Sequence, residues 1–386
     1  MSIAAEPATG HQFSRFSPLS YKDGGVLSEG LRVGREDGFD FSGQEYLRLF
    51  EASAATAFQH PAWLRHFYDA LAPRRGAEKV VVALRDSRGG LAGILPLILR
   101  RKAGMRLLET TDLGVSDYAA APVDEAIRGA VVAHPELKRQ IAAVLPTHDI
   151  LRIRPIRAEH VGDWQALLEG NAEPLDFGAP FAPLGTDYAE WRRTRPSKSL
   201  IGRLARADKR NAKLGGARLV RLASPEQIRG AVAEIQRLRA GRFAGDLIQE
   251  DFVRDFYAAV AADGVSPAEL FRLDIGDAPA GYVYGLGHRG RFYYLLIGCD
   301  YAGHGRSSPG LVLYDRIIAD WMERGGDVFD FTIGDEPFKA DFGTETTPMF
   351  TIVNAPTWRG KLALAAFRAH AQLRAPKTEK PSADDA

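Results

Sequence analysis

The sequence predicts a mixed α/β (α+β) chain of two similar halves, each a mainly antiparallel sheet flanked by helices. A long internal repeat carries that reading. Residues 80–112, VVVALRDSRGGLAGILPLILRRKAGMRLLETTD, lie on residues 269–300, ELFRLDIGDAPAGYVYGLGHRGRFYYLLIGCD, almost without a gap. The offset is 188 positions: Asp86 meets Asp274, Ala92-Gly93 meets Ala280-Gly281, and Asp112 meets Asp300. Both copies hold three short apolar runs joined by Gly- and Asp-containing turns, the pattern of hairpin-connected strands. Helical stretches precede and follow each copy, and a repeat of this length argues for two related units.

Taken in chain order, residues 1–44 are rich in Gly, Ser and charge and read as an irregular arm. Residues 45–190 form the N-terminal half, 191–216 a basic connecting helix, and 217–358 the C-terminal half. Residues 359–386 are a helix followed by a Pro-, Lys- and Asp-rich tail expected to be disordered. The C-terminal half is the clearer one. Ser224 caps a helix with Glu226 two positions on, and Ile228, Val232, Ile235 and Leu238 mark one face. DFVRDFYAAVAADG is a second amphipathic helix closed by Gly264. Three strands follow, then a loop, then a helix with Pro309 at its start and Gly325-Gly326 at its end. A strand over 328–333 and another over 349–354 complete the unit.

Bulk properties exclude several classes. Hydrophobic residues make up 45% of the 386 and charged residues 26%, ordinary for a globular chain. Apolar runs such as GILPLIL and FYYLLIG fall far short of the roughly 20 residues that span a bilayer. The N-terminus has no basic start followed by an apolar core, so no signal peptide is expected. A single cysteine, Cys299, excludes an internal disulfide and fits a reducing compartment. The net charge of +1 gives no global pull toward nucleic acid. The expectation is a soluble, cytoplasmic protein with no DNA partner and no membrane span, though peripheral association stays open. HExxH and CxxC are absent and the nine His are scattered, so no metal site is expected.

Four motifs carry possible chemistry. GLGHRG (285–290) satisfies the dinucleotide-binding spacing, but the strand RFYYLLIG follows where a helix is required, so it is a hairpin turn. GRSSP (305–309) falls short of a nucleophile elbow, with Pro309 in place of the second Gly and only His370 after it. The same loop suits an anion cradle better. Gly303, Gly305 and Gly310 let the backbone approach a ligand, Arg306, Ser307 and Ser308 stand beside them, and a helix start follows. The alternative is a capped helix that binds nothing. Residues 192–213 hold nine Lys or Arg against one acid, Asp208, so Arg203, Arg206 and Arg210 are candidates for an anionic group. A solvated face is the plainer reading.

The fourth motif is DVFDFTIGDEPFKADFG (327–343), in which Lys339 sits between Phe338 and Phe342 after a carboxylate-rich strand end. A buried ammonium needs an anion, and Asp330, Asp335 and Glu336 are near enough in sequence to supply one. The pair could simply lock the strand end, or Lys339 could polarise a carbonyl or phosphate while a carboxylate takes a proton.

This motif resembles the C-terminal motif of the CelD-like branch of the GNAT acyltransferases, relatives of the Fem-type peptidyltransferases. FQHPAWLRHFY (58–68) is similar to that family's N-terminal helix motif, LGVSDYAAAPV (113–123) to its Asp-Tyr loop, and SSPGLVL (307–313) to its strand-to-helix junction. The basic helix 198–214 resembles the segment before its second half. The likeness covers roughly residues 45–355 and implies two tandem GNAT-like halves, with the active site in the second. It implies acyl transfer from acetyl-CoA or another acyl-CoA to a small-molecule acceptor, a nucleotide- or lipid-linked sugar of exopolysaccharide or envelope synthesis. By that resemblance Lys339 stabilises the oxyanion, Glu336 and Asp117 are candidate bases, and Tyr118, Asp330 and the basic helix contact substrate. Pro309 departs from the GNAT pattern Q/R-x-x-G-x-G/A by replacing its first glycine, which removes one backbone donor. Two alternatives stay open. One is a Fem-like aminoacyl-tRNA-dependent transferase, which the near-neutral charge opposes. The other is a non-catalytic, GNAT-like ligand-binding or regulatory module; a regulatory nucleotide at the arginine-rich surface stays open with any of these readings.

Overall fold

The computed structural model describes residues 30–134 and 136–374. Most of the expected arm and all of the expected tail therefore lie outside the described residues. Twelve strands form one sheet: β1 Arg32–Arg35, β2 Ala77–Arg85, β3 Leu91–Lys102, β4 Met105–Thr110, β5 Ile150–Arg157, β6 Asn171–Pro183, β7 Ala217–Leu222, β8 Ala268–Ile275, β9 Ala278–His288, β10 Arg291–Cys299, β11 Val328–Asp330 and β12 Glu345–Asn354. Their order is β1-β2-β3-β4-β5-β12-β6-β11-β10-β9-β8-β7. The repeat is real at the level of architecture: β2-β3-β4 and β8-β9-β10 are antiparallel meanders. Each is followed by a parallel neighbour, β5 beside β4 and β11 beside β10. This is a mixed, mainly antiparallel sheet flanked by helices.

The halves exchange their last strands. β12 lies between β5 and β6, and β6 lies between β12 and β11, all antiparallel. Consequently the chain leaving β11 must pass β6 before it rejoins the sheet at Glu345. That passage, residues 331–344, contains Lys339. A parallel pair likewise needs a crossover, and the two crossovers are residues 111–149 and 300–327, which contain Asp117 and the glycine loop.

Four helices matter for the site: α1 Lys198–Ala212, α2 Pro225–Arg239, α3 Asp251–Ala262 and α4 Pro309–Glu323. Ser224 does cap α2, accepting from Gln227 N–H while the Gln227 side chain accepts from the Ser224 backbone, so the reciprocal partner is Gln227 rather than Glu226. One core cluster joins Trp63 and Phe67 of the first half to Val253, Phe256 and Tyr257 of α3. A second packs α1 and α4 on the opposite face through Leu200, Leu204, Ile317 and Trp321.

Three sequence expectations change. Arg32–Arg35, within the expected arm, is an edge strand paired with β2. The strand predicted over 328–333 stops at Asp330, because Thr332 takes a left-handed φ of 55°. The final strand begins at Glu345, not 349. The GLGHRG segment is indeed a hairpin turn, with Arg289 at φ 49° and Gly290 at φ 74°.

Asp330, with no exposed surface, ends β11 and accepts from four donors: Tyr118 Oη at 2.7 Å, Thr332 N at 2.8 Å, Arg291 Nη1 at 2.8 Å and Arg157 Nη1 at 3.2 Å. Tyr118 and Arg157 belong to the first half, Arg291 and Asp330 to the second. Breaking a buried pair leaves an uncompensated charge, so Asp330→Asn should cost about 3–5 kcal/mol. Urea unfolding checks this. A loss below about 1 kcal/mol, the surface-pair range, would mean the cluster does not hold the halves together.

Candidate active site

β10 and β11 pair only over Arg291–Tyr293 and Val328–Asp330. Beyond that β10 bulges at Leu295 and β11 has ended, so the strands part. The gap opens into two adjoining cavities, of about 370 and about 440 Å³, which share Arg239, Phe243, Tyr294 and Glu336.

The larger cavity is lined by Asp117, Tyr257, Thr332, Glu336 and Lys339. Lys339 is anchored from both sides. Phe338 stacks on Tyr314 at 5.5 Å between ring centres, and Phe342 packs on Phe331 at 5.2 Å. The side chain is 3% exposed, and its Nζ donates to Ile333 O at 3.0 Å and Gly334 O at 3.1 Å and pairs with Glu336 Oε2 at 2.8 Å. Both readings of the motif meet here: the lysine is a satisfied ion pair, and it faces a cavity. Glu336 is the replaceable partner, because its side chain is 57% exposed. Gly334, at φ 115°, is required: a Cβ would sit 2.6 Å from Glu336 Oε2 and 3.2 Å from Lys339 Nζ.

Asp117 comes from the other half and is held by its neighbours. Ser116 Oγ accepts from Trp63 Nε1 at 3.0 Å, and Tyr118 O accepts from Gln59 Nε2 at 2.9 Å. Gln59 and Trp63 belong to FQHPAWLRHFY, so one sequence motif holds the other. Tyr118 Oη on Asp330 then ties the loop to the end of β11, next to Thr332. Burial pushes the Asp117 carboxyl up to about 7, with Asp112 and Asp330 adding to the rise and Thr332 and Lys339 opposing it. An acid poised near neutrality can take a proton in a reaction at that pH.

The smaller cavity takes in part of the predicted cradle. Gly305, Ser308 and Gly310 line it; Gly303, Arg306 and Ser307 do not. Arg306 is exposed and Ser307 is buried. Ser308 adopts φ 52°, which turns the chain into α4, and Val312 N–H reaches Ser308 O. The Gly310 and Leu311 amides have no backbone partner among the described residues. Pro309 occupies the first helical position, where an amide would be unpaired anyway. Cys299 lines this cavity too, but burial pushes its thiol up to about 12, leaving an apolar wall rather than a nucleophile.

Several expectations require correction. Tyr118 and Asp330 have no exposed surface and are bonded to each other, so neither can contact substrate. Arg203 is paired with Asp341, and Arg206 and Arg210 are exposed on α1; none of the three lines either cavity. Reasoning from sequence missed Arg239 and Arg242. Arg242 lies over the Tyr301 ring at 4.2 Å and lines the smaller cavity, while Arg239 is held by both Asp246 oxygens at 2.8 and 2.9 Å. The signal in the sequence is RLRAGRF, an arginine cluster at the end of α2.

With this geometry in view, the comparisons with known proteins fall into place. Residues 198–340 match the family profile described as an acetyltransferase (GNAT) domain. That span contains α1, the splayed strand pair and Lys339. Among solved structures, FemX is similar over 80% of this chain and 95% of its own, with a TM-score of 0.56 and 13% identity. L-PGS from Bacillus licheniformis is similar over 84% and 96%, with a TM-score of 0.52 and 11% identity. These likenesses show a shared fold. No curated protein matches the chain in sequence. Among the described residues no helix is long and apolar enough to cross a membrane, and no cluster of three or more ligand-type side chains forms.

The raised Asp117 carboxyl makes a prediction independent of activity. Its folded value near 7 exceeds the unfolded value near 3.8. The folded state therefore retains a proton that the unfolded chain gives up, and stability falls as pH rises from about 4 through 7. Asp117→Asn should melt like the parent at pH 4 and at progressively higher temperature than the parent toward pH 8. A constant difference across that range would mean the carboxyl ionises normally.

Proposed function

We propose that this protein is an acyltransferase of the CelD-like kind that moves an acyl group from an acyl-CoA to an amine of an amino sugar or related acceptor. The observation that carries the reading is the parting of β10 and β11, which opens at α4 and ends beside Asp117 and Lys339. The donor's pyrophosphate would lie on the free amides of Gly310 and Leu311 with Arg242 beside them. Loss of one amide at Pro309 costs little by this geometry, since two neighbouring amides remain.

The thioester carbonyl then enters the larger cavity. Asp117 takes a proton from the acceptor amine as its nitrogen bonds to the carbonyl carbon. Lys339 shifts from Glu336 to the oxyanion that develops. The C–S bond breaks as the oxyanion collapses, and CoA leaves as thiolate. Glu336 serves as counter-ion of the lysine, and the base role falls on Asp117. No enzyme nucleophile is used, consistent with the inert Cys299. Exopolysaccharide or envelope polysaccharide synthesis is the setting that suits such an acceptor.

Two measurements test this. A melting titration with acetyl-CoA and longer acyl-CoAs should give a saturable rise, since a ligand that binds only the folded state stabilises it. Lys339→Met should then lower kcat by about 10²–10³-fold with little change in the donor's apparent affinity. No shift at millimolar acyl-CoA would remove the donor assignment and turn attention to an aminoacyl donor. Unchanged turnover in Lys339→Met would remove the lysine from the reaction.

A further inference from the structure

The first half has its own parting strand pair. β4 and β5 are parallel only over Leu107–Glu109 and Ile150–Arg152. Beside this pair a cavity of about 200 Å³ is lined by Arg75, Arg100, Arg152 and Arg154 with Glu109 and Asp112. Four guanidinium groups around one small cavity demand an account.

Acids inside the protein cover part of this charge. Glu109, 5% exposed, pairs with both Arg100 and Arg152, and Arg75 reaches Glu250 at 2.8 Å. Arg154 makes no ion pair among the described residues; it acts on the Asp112 carboxyl through space. The Nε groups of Arg75, Arg152 and Arg154 are buried without any hydrogen-bond partner. Unsatisfied buried donors are costly, but these Nε atoms are closed to the cavity; what an anion that is not part of the chain can meet there is the guanidinium charge that the acids leave unbalanced. Four guanidiniums against Glu109, Asp112 and Glu250 leave one positive charge. Burial pushes Asp112 up to about 6, so at mildly acid pH the surplus rises to two. A phosphate monoester, carrying about −1.5 to −2 at neutral pH, supplies that charge with several acceptor oxygens, and the planar forks of arginine suit its geometry.

Position gives the anion a purpose. Gly114 and Leu247 line both this cavity and the one containing Asp117 and Lys339. The two residues are in close contact: a Cβ on Gly114 would stand 2.4 Å from Leu247 Cδ1.

We infer that the four-arginine cavity between β4 and β5 binds a phosphoryl group of the acceptor, anchoring it so that its amine reaches Asp117 past Leu247. The acceptor is thereby a phosphorylated amino sugar, and the first half of the chain is its binding half. This rests on the acyltransfer reading for the amine, though not for the anion.

The test uses calorimetric titration of the full chain with glucosamine 1-phosphate, inorganic phosphate and unphosphorylated glucosamine. Glucosamine 1-phosphate should bind best, phosphate more weakly, and glucosamine not measurably. Arg154→Ala should weaken the phosphorylated ligands about tenfold or more, Arg154→Lys should recover part of that loss, and the acetyl-CoA melting shift should persist in both. Arg154 is chosen because it makes no ion pair among the described residues, and the melting temperature of each variant reports its fold. Equal binding of phosphate and glucosamine 1-phosphate would overturn the acceptor assignment and leave a bare anion site. No phosphate-dependent binding, or binding indifferent to Arg154, would overturn the inference. Loss of the acetyl-CoA shift in the parent protein, with Arg154-dependent phosphate binding intact, would instead count against the acyl-CoA donor alone.

Discussion

Asp330 has no contact with water, and its charge is offset only by what the protein brings to it. Two arginines, one tyrosine hydroxyl and one backbone amide do so, drawn from both halves of the chain. Much of the site follows from that cluster. Thr332 donates its amide back to Asp330 from a left-handed conformation, and its hydroxyl donates to Tyr294 O, so β11 ends and the gap beside β10 begins. Tyr118 reaches across from the first half and draws Asp117 to the gap. The strand exchange at the centre of the sheet then delivers Lys339 to the same place, because the chain must pass β6 before β12 can form. A carboxyl group from one half and a cation from the other meet through one buried carboxylate.

Much of the fold was legible in the sequence because it depends on local patterns. The 188-residue repeat marked both meanders, and capping and glycine signals placed α2 and α4. The exchange of β6 and β12 left no such trace, since each strand reads the same whichever neighbour it pairs with. For the site, the placing of Lys339 between aromatics and the resemblance that singled out Asp117 named two residues that line one cavity. The errors share one cause. Tyr118, Asp330 and Arg203 carry the right chemistry for a ligand, but each spends it on another residue far away in sequence, 212, 212 and 138 positions apart. Sequence spacing cannot report such pairings. Arg154 shows the converse: an unremarkable arginine in a strand, notable only because it makes no ion pair among the described residues.

The two halves have diverged around the same structural opportunity. A parallel pair that separates leaves a gap, and the chain has built a backbone-lined mouth in one half and an arginine-lined one in the other. Leu247 and Gly114 line both the arginine-lined cavity and the cavity that holds Asp117 and Lys339. Duplication here need not mean redundancy: one unit can hold the group that is given and the other the molecule that receives it.

The central claim is that the opening between β10 and β11 is where the acyl donor lies. Amide hydrogen exchange with and without saturating acetyl-CoA addresses it directly. The account predicts slowed exchange in residues 294–299 and 308–312, with residues 331–339 slowed as the lysine loop closes on the thioester. Saturable binding that instead slows exchange only around residues 105–114 and 150–154 would place the nucleotide in the other half and contradict it.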